Sequence, residues 1–435
     1  FDHLNGYQRF SFCPKDEESL YDSLSNAELI KSDYLNKHQP VRLTTINYLT
    51  AEEASKIGFD KKIHYYKIDD DAPIEYTMDR TDPDRKAHHL SEISVTQPDG
   101  MRYIFGIPVY NITQKEVTFN VGENEVDKVK NLVKYSDNDN SIRNSQGIDH
   151  YFESMTTPAY ATQFLITTVL SPDYRDLTGN GISNDDVGNY VKFCYFKEDS
   201  LYRWRSPSPI EPNQATLNKG LRSDPNDDKG TYVYGEKELW YIRSIASKTE
   251  IARFFYSERQ DGFGVQGENG GLDENMFLRK LDSIVVFSMQ DYRMNQLNAT
   301  PIQTIHFGYD HSLCEQINNA SPAGQGKLTL KEVAITYEKS RKGLLTPYSF
   351  EYGIKPDGTA VNPDYSTRDV NRWGYYQKNP DNAYSDCDDT KPLSNIDFPY
   401  ASQDREMMNQ NAYAWNLTDI NIPGGGKIKV EYEAH

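Results

Sequence analysis

The residues whose types and spacing could do chemistry lie in one short run, Asp176-Leu-Thr-Gly-Asn-Gly-Ile-Ser-Asn-Asp-Asp186. With Asp176 at loop position 1, Thr178, Asn180 and Asn184 fall at positions 3, 5 and 9, and Gly181 at position 6. This is the spacing of an EF-hand-like calcium loop. Alternate oxygens converge on a hard cation, and glycine permits the sharp turn. Ile182 would give its backbone carbonyl at position 7. Position 12 is Val187, so the bidentate glutamate is missing, and Asp186 or Asp185 would have to replace it. Asp173 is a candidate outer ligand. The competing reading is a hairpin loop rich in Asx turns that holds no ion. Ca2+ is the one cofactor the sequence suggests.

Nothing comparable supports catalysis. There is no Gly-x-Ser-x-Gly elbow and no His-Glu-x-x-His. Cys194 reads as a small strand residue rather than a thiolate. His88 and His89 are adjacent, and on a strand they would face opposite ways. Cys13, Cys194, Cys314 and Cys387 are far apart, which excludes a disulfide-dense scaffold and zinc spacing. A glycosidase needs two carboxylates about 5–10 Å apart. With 65 acidic residues, chance alone supplies such a pair. The glycine-rich stretch 262–271 lacks a GK[ST] ending and is expected to be a flexible turn. The acidic stretches 381–389 and 224–228 read as solvated loops. Trp373, Tyr375 and Tyr376 sit among amides and aspartates, a pattern suited to a carbohydrate platform. The alternative is rings that plug a sheet edge.

The elements that must position these residues are strands. A hairpin is written six times. Each copy opens on a leucine, usually with a β-branched residue three positions on. Each returns on an aromatic or valine, one residue, then an aromatic. The openings are Leu90, Leu165, Leu239, Leu281, Leu328 and Leu417. The returns include Phe254-Phe-Tyr256 and Val430-Glu-Tyr432. Within 427–432, Ile428, Val430 and Tyr432 share one face and charges the other. Pro98-Asp-Gly100 is a turn between two β-rich runs. Thr50-Ala-Glu-Glu53 is a capping box for a short helix ending near Gly58. The expected fold is mainly β, with antiparallel hairpins stacked into an extended or curled sheet and few short helices. Three regions are expected: a mixed segment over 1–84, a hairpin region with the calcium loop over 85–200, and a β-repeat region over 201–435.

Composition narrows the partners. The 435 residues carry a formal net charge of −18, which repels phosphate backbones and anionic lipid. Nucleic acid and membrane insertion are not expected. Tyrosine is abundant, at 32 residues, and suits half-buried strands. No apolar run reaches about 18 residues, and no signal-peptide pattern opens the sequence. The chain ends inside a strand pattern and both ends look cut, so a fragment of a longer protein is expected.

The stretches 239–261, 279–309, 326–352, 369–376 and 415–432 carry a resemblance. In segment order, over about 85–435, the chain resembles the RHS/YD-repeat proteins, in particular large secreted forms of Bacteroidetes-type bacteria. It is more distantly similar to the B component of Tc toxin complexes. The resemblance implies a β-strand spiral curling into a hollow shell around a C-terminal cargo, often a toxin. The degenerate Tyr-Asp repeats and the self-cleaving core are absent here, so neither self-cleavage nor toxicity is assigned to these residues. The expected role is a non-enzymatic structural segment of a secreted or cell-surface protein. Its partners would be the rest of its own polypeptide and a C-terminal cargo, with other surface proteins or glycans after them. The alternatives are an extracellular adhesin or carbohydrate-binding module and, last, a glycan-active hydrolase.

Overall fold

The computed structural model describes residues 2–4, 7–10, 43–68, 74–122, 126–127, 131–179, 181–208, 211–218, 227–366, 369, 375–377 and 405–433. Six strands open the chain: β1 (Asp2–Leu4), β2 (Tyr7–Phe10), β3 (Thr45–Thr50), β4 (Ile63–Tyr66), β5 (Glu75–Met78) and β6 (Leu90–Thr96). A middle set follows: β7 (Arg102–Asn120), β8 (Val126–Asp127), β9 (Leu132–Lys134), β10 (Phe152–Thr157), β11 (Tyr160–Leu170), β12 (Tyr190–Lys197), β13 (Tyr202–Ser206), β14 (Gln214–Asn218) and β15 (Lys229–Lys237). The last set is β16 (Trp240–Ala246), β17 (Glu250–Gly267), β18 (Gly270–Ser288), β19 (Gln303–Leu313), β20 (Lys327–Tyr337), β21 (Tyr348–Tyr352), β22 (Leu417–Asn421) and β23 (Lys427–Lys429). All 23 belong to one hydrogen-bonded sheet that stays open among the described residues. The α-helices are short: α1 (Ala51–Ile57), α2 (Met289–Asn295) and α3 (Arg405–Asn411). The mainly β, antiparallel expectation holds.

Local signals explain the ends. The capping box at α1 forms: Thr50 Oγ1 accepts from Glu53 N at 3.3 Å, and Glu53 Oε2 accepts from Thr50 N at 2.9 Å. At the Pro98-Asp-Gly100 turn, Gly100 N donates to Gln97 O at 2.8 Å and Gly100 takes φ +88°.

The sheet has a long meander and a branch. The meander runs β3, β6, β7, β11, β12, β16 and then in sequence order through β17 to β23, each strand antiparallel to the next. The branch begins where β7, 19 residues long, runs on past the meander. Its far half pairs with β10 on one side and β15 on the other, and β13, β14 and β9 continue from β15. Residues 107–120 continue β7 without a break, and β8 and β9 pair as a small hairpin after it. Ile107, Val109 and Tyr110 are all buried, so both faces are covered and the alternation that would mark a strand is lost.

The largest core lies in the branch. Val117, Phe119, Val133, Ala215, Leu217, Tyr232 and Val265 pack together, with Phe119 edge-on to Tyr135 at 4.9 Å between ring centroids. Val265 comes from the glycine-rich stretch 262–271. That stretch is not a flexible turn: it ends β17 and begins β18, and only the Gly267↔Gly270 end turns. Its glycines give closeness. A Cβ on Gly264 would lie 2.8 Å from Arg203 O. Asp227, read as part of a solvated loop, is 1% exposed and accepts from Asn120 Nδ2 at 2.9 Å, Ile148 N at 2.9 Å and Lys229 Nζ at 3.0 Å.

A tyrosine staple repeats along the meander. The hydroxyls of Tyr195, Tyr256, Tyr309, Tyr352 and Tyr432 donate to the carbonyls of Ile166, Ile242, Leu281, Leu330 and Leu417 at 2.7, 2.8, 2.8, 2.6 and 2.7 Å. Each of the first four tyrosines is register-paired with the acceptor of the next staple: Tyr195↔Ile242, Tyr256↔Leu281, Tyr309↔Leu330 and Tyr352↔Leu417. At each of these pairs the register slips by one extra residue, a β-bulge, on the acceptor strand. A bulge interrupts the ladder, and the hydroxyl supplies a donor there. The staple corrects the phase of three copies, whose openings are Ile166, Ile242 and Leu330 rather than Leu165, Leu239 and Leu328. The staple uses a backbone carbonyl, so leucine identity does not mark the position.

Candidate functional site

The loop between β11 and β12 folds on its own carboxylates. Asp176 Oδ1 accepts from Thr178 N at 3.1 Å and Gly179 N at 2.7 Å, and Oδ2 accepts from Gly181 N at 3.1 Å. Asp186 accepts from Tyr174 OH at 2.7 Å, Ser183 N at 2.8 Å and Leu177 N at 3.3 Å. These donors hold the Asp186 carboxyl below the usual carboxylate range, led by the Ser183 N–H and opposed by burial. Thr178 Oγ1 donates to Asp185 Oδ2 at 3.1 Å, and Tyr190 OH donates to Asn184 Oδ1 at 2.6 Å. Asp173 accepts from Ser171 Oγ. Asn180 lies outside the described residues. Ile182 packs beside the small core of Leu170, Tyr174 and Tyr190. The structure therefore brings Asp176, Thr178, Asp185 and Asp186 into one turn network. Among the described residues, no three His, Cys, Asp or Glu side chains gather in a metal-holding group.

The loop leans on a polar cavity. Gly181 and Ile182 line a space of about 150 Å3 shared with Asp60, His64, Glu75, Thr167, Lys192 and Cys194. Strands β4 and β5 bring His64 Nδ1 to 3.6 Å from Glu75 Oε2. The Glu75 carboxylate beside it raises His64 above the ordinary histidine value, against the effect of burial, and the same pairing lowers Glu75. Burial raises Asp60. The floor is fixed by Arg80, 1% exposed, which donates to Asp60 O at 2.7 Å, Gly106 O at 3.0 Å and Ser91 Oγ at 3.1 Å and pairs with Glu92 at 3.3 Å. A cavity of mixed charge can hold water or a small polar molecule and can store a proton on the His64–Glu75 pair. Sequence reasoning named Gly181, Ile182 and Cys194 for other reasons and passed over Asp60, His64, Glu75, Arg80, Thr167 and Lys192, which come from separate segments and form no motif with their neighbours.

The remaining candidates disperse. Trp373 lies outside the described residues. Tyr375 is exposed, and Tyr376 stands edge-on to Trp415, ring centroids 5.2 Å apart. Trp415 donates its indole N–H to Pro363 O at 2.8 Å. Tyr376 thus sits in local packing, and Tyr375 is solvent-exposed. Cys194 and Cys314 are free thiols; burial pushes Cys314 up, toward the inert form. His88 and His89 are not on a strand. They occupy the turn before β6, where their rings meet edge-on at 4.9 Å. The turn, not a pleat, sets their directions.

No family model matches the chain, and no curated protein matches it. Two solved structures show weak likeness. One is the crystal structure of TcdB2-TccC3, at 10% identity and a TM-score of 0.25, covering 74% of this chain and 12% of that one. The other is the N-terminal domain of effector protein SpvB from Salmonella typhimurium strain LT2, at 14% identity and a TM-score of 0.19, covering 63% of this chain and 94% of that one. The chain thus spans about an eighth of the length of the TcdB2-TccC3 chain. Among the described residues, no helix is long and apolar enough to cross a membrane.

Proposed function

We propose that this chain is a non-enzymatic wall segment of a larger secreted, RHS-like protein, and that its work is to extend a β-strand shell or scaffold. The carrying observation is the tyrosine staple. The acceptor carbonyl of one copy belongs to the residue paired with the tyrosine of the copy before, so each unit prepares the site of the next. Such a unit adds to itself without a fixed end, which suits a wall better than a catalytic cleft. In this reading calcium, where it binds, pins the 173–186 turn beside the cavity, and the partners are the rest of the polypeptide and its cargo. Electron microscopy of the parent protein with limited proteolysis of its C-terminal region tests the reading. A closed hollow particle with a protected C-terminal region is expected. An open β-array with that region freely cleaved sinks it. The second reading, a carbohydrate-binding module, draws on the exposed ring of Tyr375, and a glycan array on the purified chain decides it.

A further inference from the structure

Arg243 and Arg253 sit side by side in the meander. Arg243 is the bulged residue of β16 beside the Tyr195↔Ile242 pair, and Arg253 of β17 is register-paired with Ser244. They are 9% and 7% exposed. Burying a guanidinium is costly unless its N–H groups find acceptors and its charge a partner. Each of the other buried arginines meets one condition or the other: Arg85 pairs with Asp82 and Glu238. Arg205 donates to Glu268 O at 2.8 Å, Pro207 O at 2.9 Å and Tyr135 OH at 3.2 Å, and Arg80 is satisfied as described above. Arg243 and Arg253 do not. Among the described residues neither makes an ion pair with a carboxylate, and Arg243 makes no hydrogen bond. Arg253 Nη1 reaches the neutral hydroxyl of Tyr292 on α2, while its Nε is enclosed and without a partner. What surrounds them is aromatic. Arg243 lies 4.0 Å from the Tyr66 ring centroid and 5.7 Å from that of Phe196, and Arg253 lies 5.7 Å from that of Tyr292. Ring faces orient a guanidinium plane and leave its edge donors free.

We propose that Arg243 and Arg253 form an oxyanion-binding site that takes a carboxylate or a phosphate edge-on, with Tyr66, Phe196 and Tyr292 as its walls. Two planar forks with unused donors match the geometry of such a group, and an aromatic surround of low polarity strengthens each charged hydrogen bond. Burial, and after it the neighbouring Arg253 cation, holds Arg243 below the ordinary arginine value. In a chain of net charge −18 two cations kept apart from every described carboxylate are reserved for a ligand from outside their own strands. The site is independent of the wall reading: it needs only β4, β12, β16, β17 and α2 in place.

The test is thermal unfolding of the purified chain in chloride at fixed pH and ionic strength, titrated with inorganic phosphate and, separately, with succinate. The variants are Arg243→Met, Arg253→Met and Arg243→Lys, each checked by far-ultraviolet circular dichroism. The expected result is a saturable rise in the wild-type midpoint with at least one of the two anions. Each methionine variant should weaken the apparent affinity about ten-fold or more, the scale of one charged hydrogen bond. Arg243→Lys should fall between, since it keeps charge and loses the fork. Arg243→Met should also match or exceed the wild-type midpoint in chloride, because it removes an unpaired buried charge. A response to succinate alone assigns the site to carboxylates such as acidic side chains, and a response to phosphate assigns it to phosphorylated ligands. A wild type whose midpoint ignores both anions, or variants that respond as the wild type does, overturns the proposal.

Discussion

At the residue scale the chain spends its tyrosines on carbonyls. In Tyr309→Phe the ring still fills its place, but Leu281 O loses its 2.8 Å donor at a bulge. An unmet half-buried carbonyl costs about 1–3 kcal/mol, so urea unfolding should place this variant lower by that amount. The first hairpin copy is the internal control, because its returning aromatic is Phe105, which has no hydroxyl to remove. If Tyr309→Phe unfolds with the wild type, the staple is incidental. His64 gives a second prediction. Its pKa is raised in the folded state by Glu75, so the protonated form is favoured by folding. That stability is fully present below the unfolded histidine value of about 6.5 and is lost as pH rises through the folded value. His64→Gln should therefore be less stable than the wild type near pH 5.5 and approach it above pH 8, within the roughly 0–1 kcal/mol of a half-exposed pair. A gap between the two that does not change with pH removes the His64–Glu75 pair from the account. Neither feature announces itself in the sequence. The aromatic return of each hairpin is plain to read, yet nothing in Phe350-Glu-Tyr352 says that its hydroxyl crosses to Leu330 O.

Elements were legible where the period was clean. The strand at 90–96, the turn at Gly100 and the cap at Thr50 all follow from local chemistry that tertiary packing does not override, whereas the alternation read over 427–432 gives a strand only over 427–429, with Ile428 exposed. Strand β7 was not, because a strand covered on both faces loses its alternation, and the bulges were not, because one extra residue changes no composition. The loop over 173–187 was half legible. Its spacing named the residues that now share a turn, and the backbone N–H groups that meet Asp176 are those of the Asx-turn reading, while the Tyr174 hydroxyl on Asp186 is a donor that no motif displays. Asp176→Ala removes three such acceptances and should lower stability by about 1 kcal/mol in chelator. With millimolar calcium the wild type should gain a midpoint shift that the variant lacks. Equal shifts in both would show that calcium acts elsewhere and leave the loop as turns alone.

At the scale of the whole molecule, thickness sets stability. Around Phe119, Tyr232 and Val265 the branch and the far end of β17 and β18 make two layers over a dry core. Along the meander the cover thins: β20 keeps only Thr329, Ala334 and Thr336 buried, and all three residues of β23 are exposed. A repeat array holds together through nearest neighbours, so a unit with less buried apolar area opens at lower cost. Native-state hydrogen exchange should then show a gradient. Amides of β7 and β15 should exchange only through global unfolding, those of β19 and β20 should open sooner, and those of β22 and β23 should open first. Tyr352→Phe sharpens the test, because it cuts the staple between β20 and β21. It should speed exchange in β21 to β23 and leave β7 and β15 as they were. If protection is uniform, or if the substitution loosens the branch as much as the meander, then the chain unfolds as one unit. The picture of a wall that grows by adding equivalent hairpins would then lose its physical basis, whatever the particle looks like under the microscope.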